Sequence, residues 1–289
     1  MNLSIINLVL TVFLLWLTIQ INSVYEVYLA YFFILTVGII HGANDISLIS
    51  LLTKNKRGSR LKFLLFYLGL IVFTSLVFLK FPLIALFVFI GFSCYHFGEQ
   101  HFYTKLKAHN FKGSLLYISY GVLIFGLLFY LNSSATTSII LELTGVVIAS
   151  NYFLFFFLLG LVATLFFVYL NFKVLNDLDY FQEVFLLLLF ALLFKMASLL
   201  WAFAIYFIIW HSLPSLKDQT LALYGNFNKQ NFFKYVKSSA VNWVISIIGL
   251  CIVYYISAFF QIRFITLFFA FLASITIPHV IVMFYLNKK

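Results

Sequence analysis

Histidine is the residue whose distribution in this sequence points most directly to chemistry. Four of the six histidines lie well inside long apolar runs: His41, His96, His211 and His279. An ionisable side chain at membrane depth is costly to bury and usually serves a function. His109 lies instead in a basic connector, where an ordinary solvated residue is expected. The four histidines inside the apolar runs are therefore our candidates for binding or catalysis.

The first candidate opens the sequence His41-Gly42-Ala43-Asn44-Asp45. On a continuous helix, residues four apart share a face, so the spacing predicts that Asp45 lies beside His41. A carboxylate in that position accepts the distal N–H of the imidazole, as carboxylates do around metal-bound histidines. The small residues Gly42 and Ala43 would let another helix or a bulky ligand approach closely. The alternative interpretation is a polar contact between two helices.

His96 has polar neighbours on its own helix face. Glu99 and Gln100 follow it by three and four residues, so both are predicted to lie on the side of the helix that carries the imidazole. Glu99 is thus a second candidate for a residue that acts beside a histidine. His101 follows His96 by five residues, which rotates it away from that face and brings it close to the end of the apolar run.

The other two histidines lie beside prolines. Pro214 follows His211 by three residues, and Pro278 directly precedes His279. Proline removes a helical hydrogen bond, so Pro214 should end or kink its helix and free carbonyl groups near His211. A broken helix at membrane depth is tolerated where it lines a cavity. We therefore expect both histidines to lie on disturbed helices at such a cavity.

The elements that position these residues must be membrane helices. Hydrophobic residues make up 64% of the 289 residues and charged residues only 9%, whereas soluble domains carry about 25% charged residues. One span needs about 20 apolar residues, so this length allows about ten spans. The apolar runs lie at about residues 3–22, 24–52, 61–79, 82–103, 114–131, 138–170, 180–195, 197–215, 238–256 and 262–286. Runs of this length without alternation are not barrel strands. They predict an all-α polytopic bundle that forms a single membrane domain over residues 1–289.

Two of these runs differ from a simple uninterrupted span. Glu142 and Asn151 interrupt the run at 138–170, which predicts one span preceded by an interfacial segment. The first 22 residues lack a basic start and have a long apolar stretch, so we interpret them as a retained first helix rather than a signal peptide. Cys94 and Cys251 both lie in apolar runs and are expected to be small buried hydrophobes without a disulfide or zinc site.

Basic residues predict the orientation of the bundle. They concentrate in the connectors at 54–60, 105–112 and 217–237 and at Lys288 and Lys289. With ten spans and a cytoplasmic N-terminus, each of these segments falls on the cytoplasmic side, as the positive-inside rule requires. The expected location is the cytoplasmic (inner) cell membrane, with both termini in the cytoplasm. The net charge of +10 reflects these connectors and does not indicate a nucleic-acid partner.

This topology places the four histidines in one layer. They lie on the second, fourth, eighth and tenth predicted spans, between about five and a dozen residues from the cytoplasmic end. At about 1.5 Å per residue, all four fall about 8–18 Å deep in the cytoplasmic half. Imidazoles from four helices can converge on one ion in the core of a bundle. We therefore expect His41, His96, His211 and His279 to form a buried metal centre.

The choice of ion stays open at this stage. Neutral imidazole binds iron, zinc, copper and nickel. An all-histidine set with open positions fits a non-haem Fe(II) that reacts with oxygen, and zinc and copper remain alternatives. The HxxxH and HxxHH clusters of membrane di-iron desaturases are absent from the sequence. Two further alternatives are a haem-binding electron-transfer protein and a transporter or ion relay that uses Asp45, Glu99 and the histidines. No inverted repeat favours the transporter.

Aromatic residues make up 21% of the sequence and cluster around the histidine segments. As a set they could line a tunnel for a long, rigid, apolar substrate. The members that we assign to substrate binding are Tyr95, Phe97, Tyr206 and Trp210. The alternative interpretation is packing between helices or contact with lipid.

Four sequence blocks, taken in order, resemble the Brp/Blh family of bacterial and archaeal membrane β-carotene 15,15'-dioxygenases. The blocks are His41-Gly-Ala-Asn-Asp45, Tyr95-His96-Phe97-Gly98-Glu99, Trp210-His211-Ser-Leu-Pro214-Ser215 and Pro278-His279. The resemblance implies an enzyme that uses Fe²⁺ and O2 to split the central double bond of β-carotene into two retinal molecules. It also implies that the four histidines ligate the iron and that a rhodopsin receives the retinal. The substrate would enter from the lipid bilayer.

Overall fold

The computed structural model describes residues 3–54, 56–107, 110–175, 178–260 and 262–288. His109 and Lys289, which the sequence places in basic segments, lie outside these residues. The described chain is helical nearly throughout and contains no β-strand. The predicted all-α architecture is therefore confirmed.

The helices are numbered in chain order. They are α1 (Leu3–Gln20), α2 (Ser23–Phe33), α3 (Ile39–Gly42), α4 (Asp45–Leu52), α5 (Arg57–Lys80), α6 (Pro82–Phe102), α7 (Phe111–Leu131), α8 (Ser133–Thr144), α9 (Ser150–Leu170), α10 (Tyr180–Met196), α11 (Leu199–Tyr206), α12 (Leu213–Tyr224), α13 (Lys229–Ser257) and α14 (Phe264–Asn287). Two π-helical segments, Ile34–Gly38 and Phe207–Ser212, join α2 to α3 and α11 to α12.

Over the described ranges, eight helical segments are long and apolar enough to cross a membrane. They are Ser23–Leu52, Arg57–Lys80, Pro82–Lys105, Phe111–Leu131, Ser150–Leu170, Leu199–Tyr224, Lys229–Ser257 and Phe264–Asn287. The other two predicted spans correspond to the shorter apolar helices α1 and α10. The chain is thus a polytopic membrane bundle, as its composition predicts.

The run at 138–170 includes the end of α8 and the whole of α9, which agrees with one span preceded by a separate segment; the helical break lies at residues 145–149, between Glu142 and Asn151. The interfacial position of the first segment stays a prediction. Gly145 ends α8 with φ 73°, in the left-handed region that favours glycine, and its N–H donates to the Leu141 carbonyl. This is a common way to close a helix, because it satisfies a carbonyl of the last turn.

Pro214 does not end its helix, so that part of the prediction is wrong. The helix continues through α12 to Tyr224, and the irregularity is the π-helical segment Phe207–Ser212 directly before the proline. A π turn is wider than an α turn and shifts the hydrogen-bond register, so it accommodates the missing N–H of proline. Pro278 likewise lies inside α14 without ending it.

The chain divides into two compact units, each built from separate stretches of sequence. The first unit contains Met1–Ile34, Ser93–Leu141 and Gly145–Pro214, and the second contains Leu35–Phe92, Glu142–Thr144 and Ser215–Lys289. The single membrane domain over residues 1–289 stays a prediction.

In the first unit, glycines bring the backbones of neighbouring helices together. A Cβ atom on Gly98 of α6 would lie 1.9 Å from the carbonyl oxygen of Tyr117 in α7. A Cβ atom on Gly160 of α9 would lie 2.5 Å from the backbone nitrogen of Leu123 in α7. Small residues permit such close approach in membrane helices. The helix that carries His96 is therefore held against α7 by main-chain contact.

In the second unit, α14 packs along α5 and α4. Leu48 and Ile49 of α4 form a buried cluster with Val282 and Met283 of α14. Farther along, the hydroxyl oxygens of Ser75 and Ser274 lie 2.8 Å apart. These contacts fix the helix that carries His279 against the helices that carry Asp45 and Tyr67.

Candidate metal centre

In the first unit, two of the predicted histidines lie together. His96 projects from α6 and His211 from the π-helical segment, and their ring centroids are 4.6 Å apart in an edge-on arrangement. Both side chains are buried. Phe97 and Phe207 lie against His211, with ring centroids 4.4 Å and 5.6 Å from it. This histidine pair therefore has an apolar, aromatic border.

The π-helical segment determines where His211 points. Segments of this kind occur mostly as single turns inside α-helices and frequently mark functional sites. The neighbouring Trp210 is anchored on α1, because its indole N–H donates to the Thr11 hydroxyl over 2.9 Å. On α11, directly before the π-helical segment, the Trp201 indole N–H donates to the Thr18 hydroxyl, also over 2.9 Å. The threonines of α1 thus hold the helix that presents His211.

Glu99 lies near His96, although the contact is longer than a hydrogen bond. Its Oε2 atom lies 3.9 Å from His96 Nδ1, while its Oε1 atom accepts from the Tyr95 hydroxyl over 3.1 Å. Glu99 is buried, with 3% of its surface exposed. The carboxylate is therefore close enough to act on His96 electrostatically, and its role beside that histidine stays a prediction.

The second unit brings the other two histidines together. The ring centroids of His41 and His279 lie 4.9 Å apart with the planes at 88°, and a ring nitrogen of one lies within 4.8 Å of a ring nitrogen of the other. Both side chains are buried. Each unit therefore contains one buried histidine pair. The convergence of the two pairs on one ion stays a prediction.

The backbone fixes the tautomer of His41. Its Nδ1 atom is hydrogen-bonded to the carbonyl oxygen of Gly38, the last residue of the first π-helical segment. A carbonyl can only accept, so Nδ1 carries the proton and Nε2 is the nitrogen with the lone pair. That is the arrangement in which a histidine binds a metal through Nε2.

Asp45 is hydrogen-bonded to a histidine, but the partner is His279 rather than His41, which the spacing predicts. The turn at Ala43 and Asn44 interrupts the helix, so His41 and Asp45 do not share a continuous helix face. Asp45 Oδ1 instead lies 2.8 Å from Nδ1 of His279 on α14. The prediction from the four-residue spacing assumed an unbroken helix. Because the helix is broken at Ala43 and Asn44, the Asp45 carboxylate meets His279 instead of His41.

Polar residues of α12 and α13 hold the interrupted segment, and the sequence patterns missed them. The Gln219 side-chain amide and the Tyr235 hydroxyl donate to the His41 carbonyl over 2.8 Å and 3.0 Å. Asn242 donates to the Ala43 carbonyl over 2.7 Å, and the Trp243 indole N–H donates to the Leu35 carbonyl over 2.8 Å. The sequence feature that could have indicated them is the presence of polar side chains on α13, which otherwise has the composition of an ordinary apolar span.

The predicted substrate-binding residues occupy different surroundings. Phe97 lies against His211, whereas Tyr206 and Trp210 both pack on Phe190 of α10, with ring centroids 5.2 Å from it. Tyr95 packs edge-on to Tyr117 and donates to Glu99. Phe97 is thus in contact with a histidine pair, and substrate binding by all four residues stays a prediction.

His101 belongs to a separate polar cluster. Its Nε2 atom lies 2.7 Å from Glu183 of α10, and Lys105 bonds to the same carboxylate. This arrangement accounts for His101 without a metal. The two cysteines form no disulfide; Cys94 is buried as expected, whereas Cys251 is exposed on α13, contrary to the prediction.

The residues present fit a transition metal. In the second unit, His41 and His279 each offer a buried ring nitrogen that could ligate one. Neutral imidazole suits iron, zinc and copper, and the Gly38 and Asp45 contacts leave Nε2 of both rings as the available donor.

A comparison with known proteins gives the chain its family. The family described as beta-carotene 15,15'-dioxygenase matches residues 32–287. The chain belongs to this family. No curated protein and no solved structure matches the chain.

The histidine pairs, Asp45 and Glu99 all lie within the residues matched by the β-carotene 15,15'-dioxygenase family. In this member of the family, α1 lies before the matched residues, yet Thr11 and Thr18 accept hydrogen bonds from Trp210 and Trp201. The element that supports the His211 helix is therefore supplied by a part of the chain outside the match.

Proposed function

We propose that the protein cleaves the central double bond of β-carotene with O2 and releases two molecules of retinal. One observation carries the proposal: a membrane chain of the β-carotene 15,15'-dioxygenase family contains two buried histidine pairs with aromatic or carboxylate neighbours. In the overall reaction the carbon–carbon double bond breaks, each carbon becomes an aldehyde carbon, and O2 supplies both aldehyde oxygens.

In this proposal, His41, His96, His211 and His279 together hold one Fe²⁺. The bound metal would supply the activation of O2 that a spin-paired alkene needs. The residues of the chain position and protect this chemistry. The Gly38 carbonyl and Asp45 hold the Nδ1 protons of His41 and His279, which keeps Nε2 of each ring available.

In the proposal, the aromatic residues exclude water and position the substrate. Phe97 and Phe207 border His211 and would keep water away from the reacting oxygen. A symmetric, rigid polyene that enters until its middle reaches the metal is cleaved at its central bond, so positioning sets the regioselectivity. Tyr95, Tyr206 and Trp210 complete the proposed substrate-binding set.

The proposed setting is the cytoplasmic membrane. β-Carotene dissolves in the lipid bilayer and would enter laterally, and a rhodopsin is the proposed acceptor of the retinal. The eight long apolar helices support the membrane location.

Coexpression with β-carotene biosynthesis tests the proposal. We expect the cells to lose their carotenoid colour and to accumulate retinal, and the purified protein to contain iron without a Soret band. Coloured cells without retinal, or a Soret band, would contradict the proposed function.

Histidine variants test the ligand set. His96→Ala and His211→Ala should abolish both retinal formation and bound iron, because each removes one donor of the first-unit pair. The matched control is His101→Ala on the same helix as His96, which should keep its iron because His101 is engaged by Glu183. Iron retained at the wild-type level in both His96→Ala and His211→Ala would remove these two histidines from the ligand set.

A further inference from the structure

The structure assigns a positioning role to Tyr67, a residue of α5 that no sequence pattern singled out. The inference rests on the proposed function, because it concerns how His279 is held as a metal ligand. The Tyr67 hydroxyl lies 2.9 Å from Asp45 Oδ2, and Asp45 Oδ1 lies 2.8 Å from His279 Nδ1. The three side chains therefore connect α5 to α14 through the carboxylate of α4.

Donor and acceptor chemistry gives this connection a direction. An ionised carboxylate only accepts, so the phenol O–H and the imidazole Nδ1–H both donate to Asp45. A donating Nδ1 makes Nε2 the ring nitrogen with the lone pair, which is the atom that binds a metal. Because each oxygen of Asp45 receives a different donor, the carboxylate cannot rotate without losing a hydrogen bond. Tyr67 thereby fixes the carboxylate, and the carboxylate fixes the imidazole of His279.

Burial of the Asp45 carboxylate makes its hydrogen bond from the half-buried Tyr67 hard to replace. Asp45 is 1% exposed and His279 is 4% exposed. Water cannot readily take the place of a lost donor at that burial, and hydrogen bonds in such surroundings strengthen one another. Gly42 borders the same ring, since a Cβ atom there would lie 3.7 Å from His279 Nδ1. The imidazole is thus confined on one side by backbone and at Nδ1 by the carboxylate.

The competing interpretation is that Tyr67 only ties α5 to α4. A bond with that role would change the stability of the protein but leave metal affinity and ligand geometry unchanged. A metal titration of the apo protein therefore separates the two interpretations. Co²⁺ is a suitable probe because its visible absorption bands report the arrangement of its ligands.

The experiment compares Tyr67→Phe with wild type, using the full-length apo protein in detergent and Co²⁺ alone. We expect the dissociation constant for Co²⁺ to rise about tenfold, the lower end of the effect of losing a partner outside the ligands. The visible bands should shift as His279 loses its fixed orientation. Tyr285→Phe is the matched control, because Tyr285 is an exposed tyrosine of α14 that packs against α5 through Phe63.

A double-mutant cycle tests whether Tyr67 acts through Asp45. In an Asp45→Asn background, Tyr67→Phe should cause little further loss of Co²⁺ affinity. Wild-type affinity in Tyr67→Phe, even with a lower melting temperature, would overturn the inference, as would an equal loss in the Asp45→Asn background. If His279→Ala binds Co²⁺ like wild type, the proposed ligand set has failed, and the role of Tyr67 falls with it.

Discussion

Single residues set how closely the helices approach around the first histidine pair. Gly98 lies two residues after His96, and its α-carbon faces the backbone of Tyr117. Gly121 of α7 makes the reciprocal approach, since a Cβ atom there would lie 2.0 Å from the Cys94 carbonyl oxygen. Two glycines therefore bracket the position of His96 along the contact between α6 and α7. The depth and direction of that imidazole depend on residues that have no side chain.

Gly98→Ala should separate α6 from α7, because the added methyl group meets backbone rather than a movable side chain. Overpacking of this kind typically costs about 1–3 kcal/mol. We expect a lower melting temperature in detergent and less iron per chain. Gly91→Ala is the control on the same helix: nothing lies within 4 Å of its Cβ position, so stability should be unchanged or higher. Equal stability of the two variants would contradict the close-packing argument.

At the scale of elements, two π-helical segments and one interrupted helix shape the site. Ile34–Gly38 precedes His41, and Phe207–Ser212 contains His211. Irregular backbone at membrane depth needs partners for its carbonyl groups, because lipid offers none. Polar side chains of α13 supply these partners to the segment before Asp45. The helix α13, which the sequence patterns did not single out, thus stabilises the interrupted segment before Asp45.

Asn242→Leu tests the contribution of α13. The change removes the donor to the Ala43 carbonyl, which lies in a half-buried contact, and a polar group left without its partner away from water costs up to about 1–3 kcal/mol. We expect a lower melting temperature and weaker retention of iron, since the Ala43 turn lies between His41 and Asp45. The control is Val241→Leu, the neighbouring residue, whose side chain is exposed. If both variants behave like wild type, α13 does not hold the interrupted segment.

At the scale of the whole molecule, charge determines which side of the membrane each connector occupies. The basic connectors alternate with connectors that carry little positive charge. Counting α1 and α10 as spans gives ten crossings, and this number puts every basic segment on one side. The two units of the chain each contain helices from distant parts of the sequence.

Reporter fusions test this orientation. Green fluorescent protein fused after Lys288 should fluoresce, and alkaline phosphatase fused there should be inactive, because both termini are expected in the cytoplasm. Alkaline phosphatase inserted at Gly145, between α8 and α9, should be active. An active phosphatase after Lys288 would mean that α1 or α10 does not cross the membrane, or that the orientation is reversed.

The sequence by itself determined the membrane class, the helical architecture and the four candidate histidines. Composition decides the first two, because so few charged residues cannot cover a water-exposed surface and long apolar runs must satisfy their backbone internally. The cost of burying an ionisable group singles out the histidines, and their four blocks indicate the family. These conclusions need only local sequence, so they do not depend on which helices touch.

Only the tertiary structure decided which side chains are partners. Asp45 and His279 are 234 residues apart in sequence, and no periodicity relates two positions on different helices. The spacing from His41 to Asp45 was misleading, because helical periodicity holds only where the helix is unbroken and here a turn intervenes. Tyr67 and Asn242 likewise gain their roles from the buried groups they meet. Hydrogen-bond satisfaction at membrane depth is a property of the packed bundle.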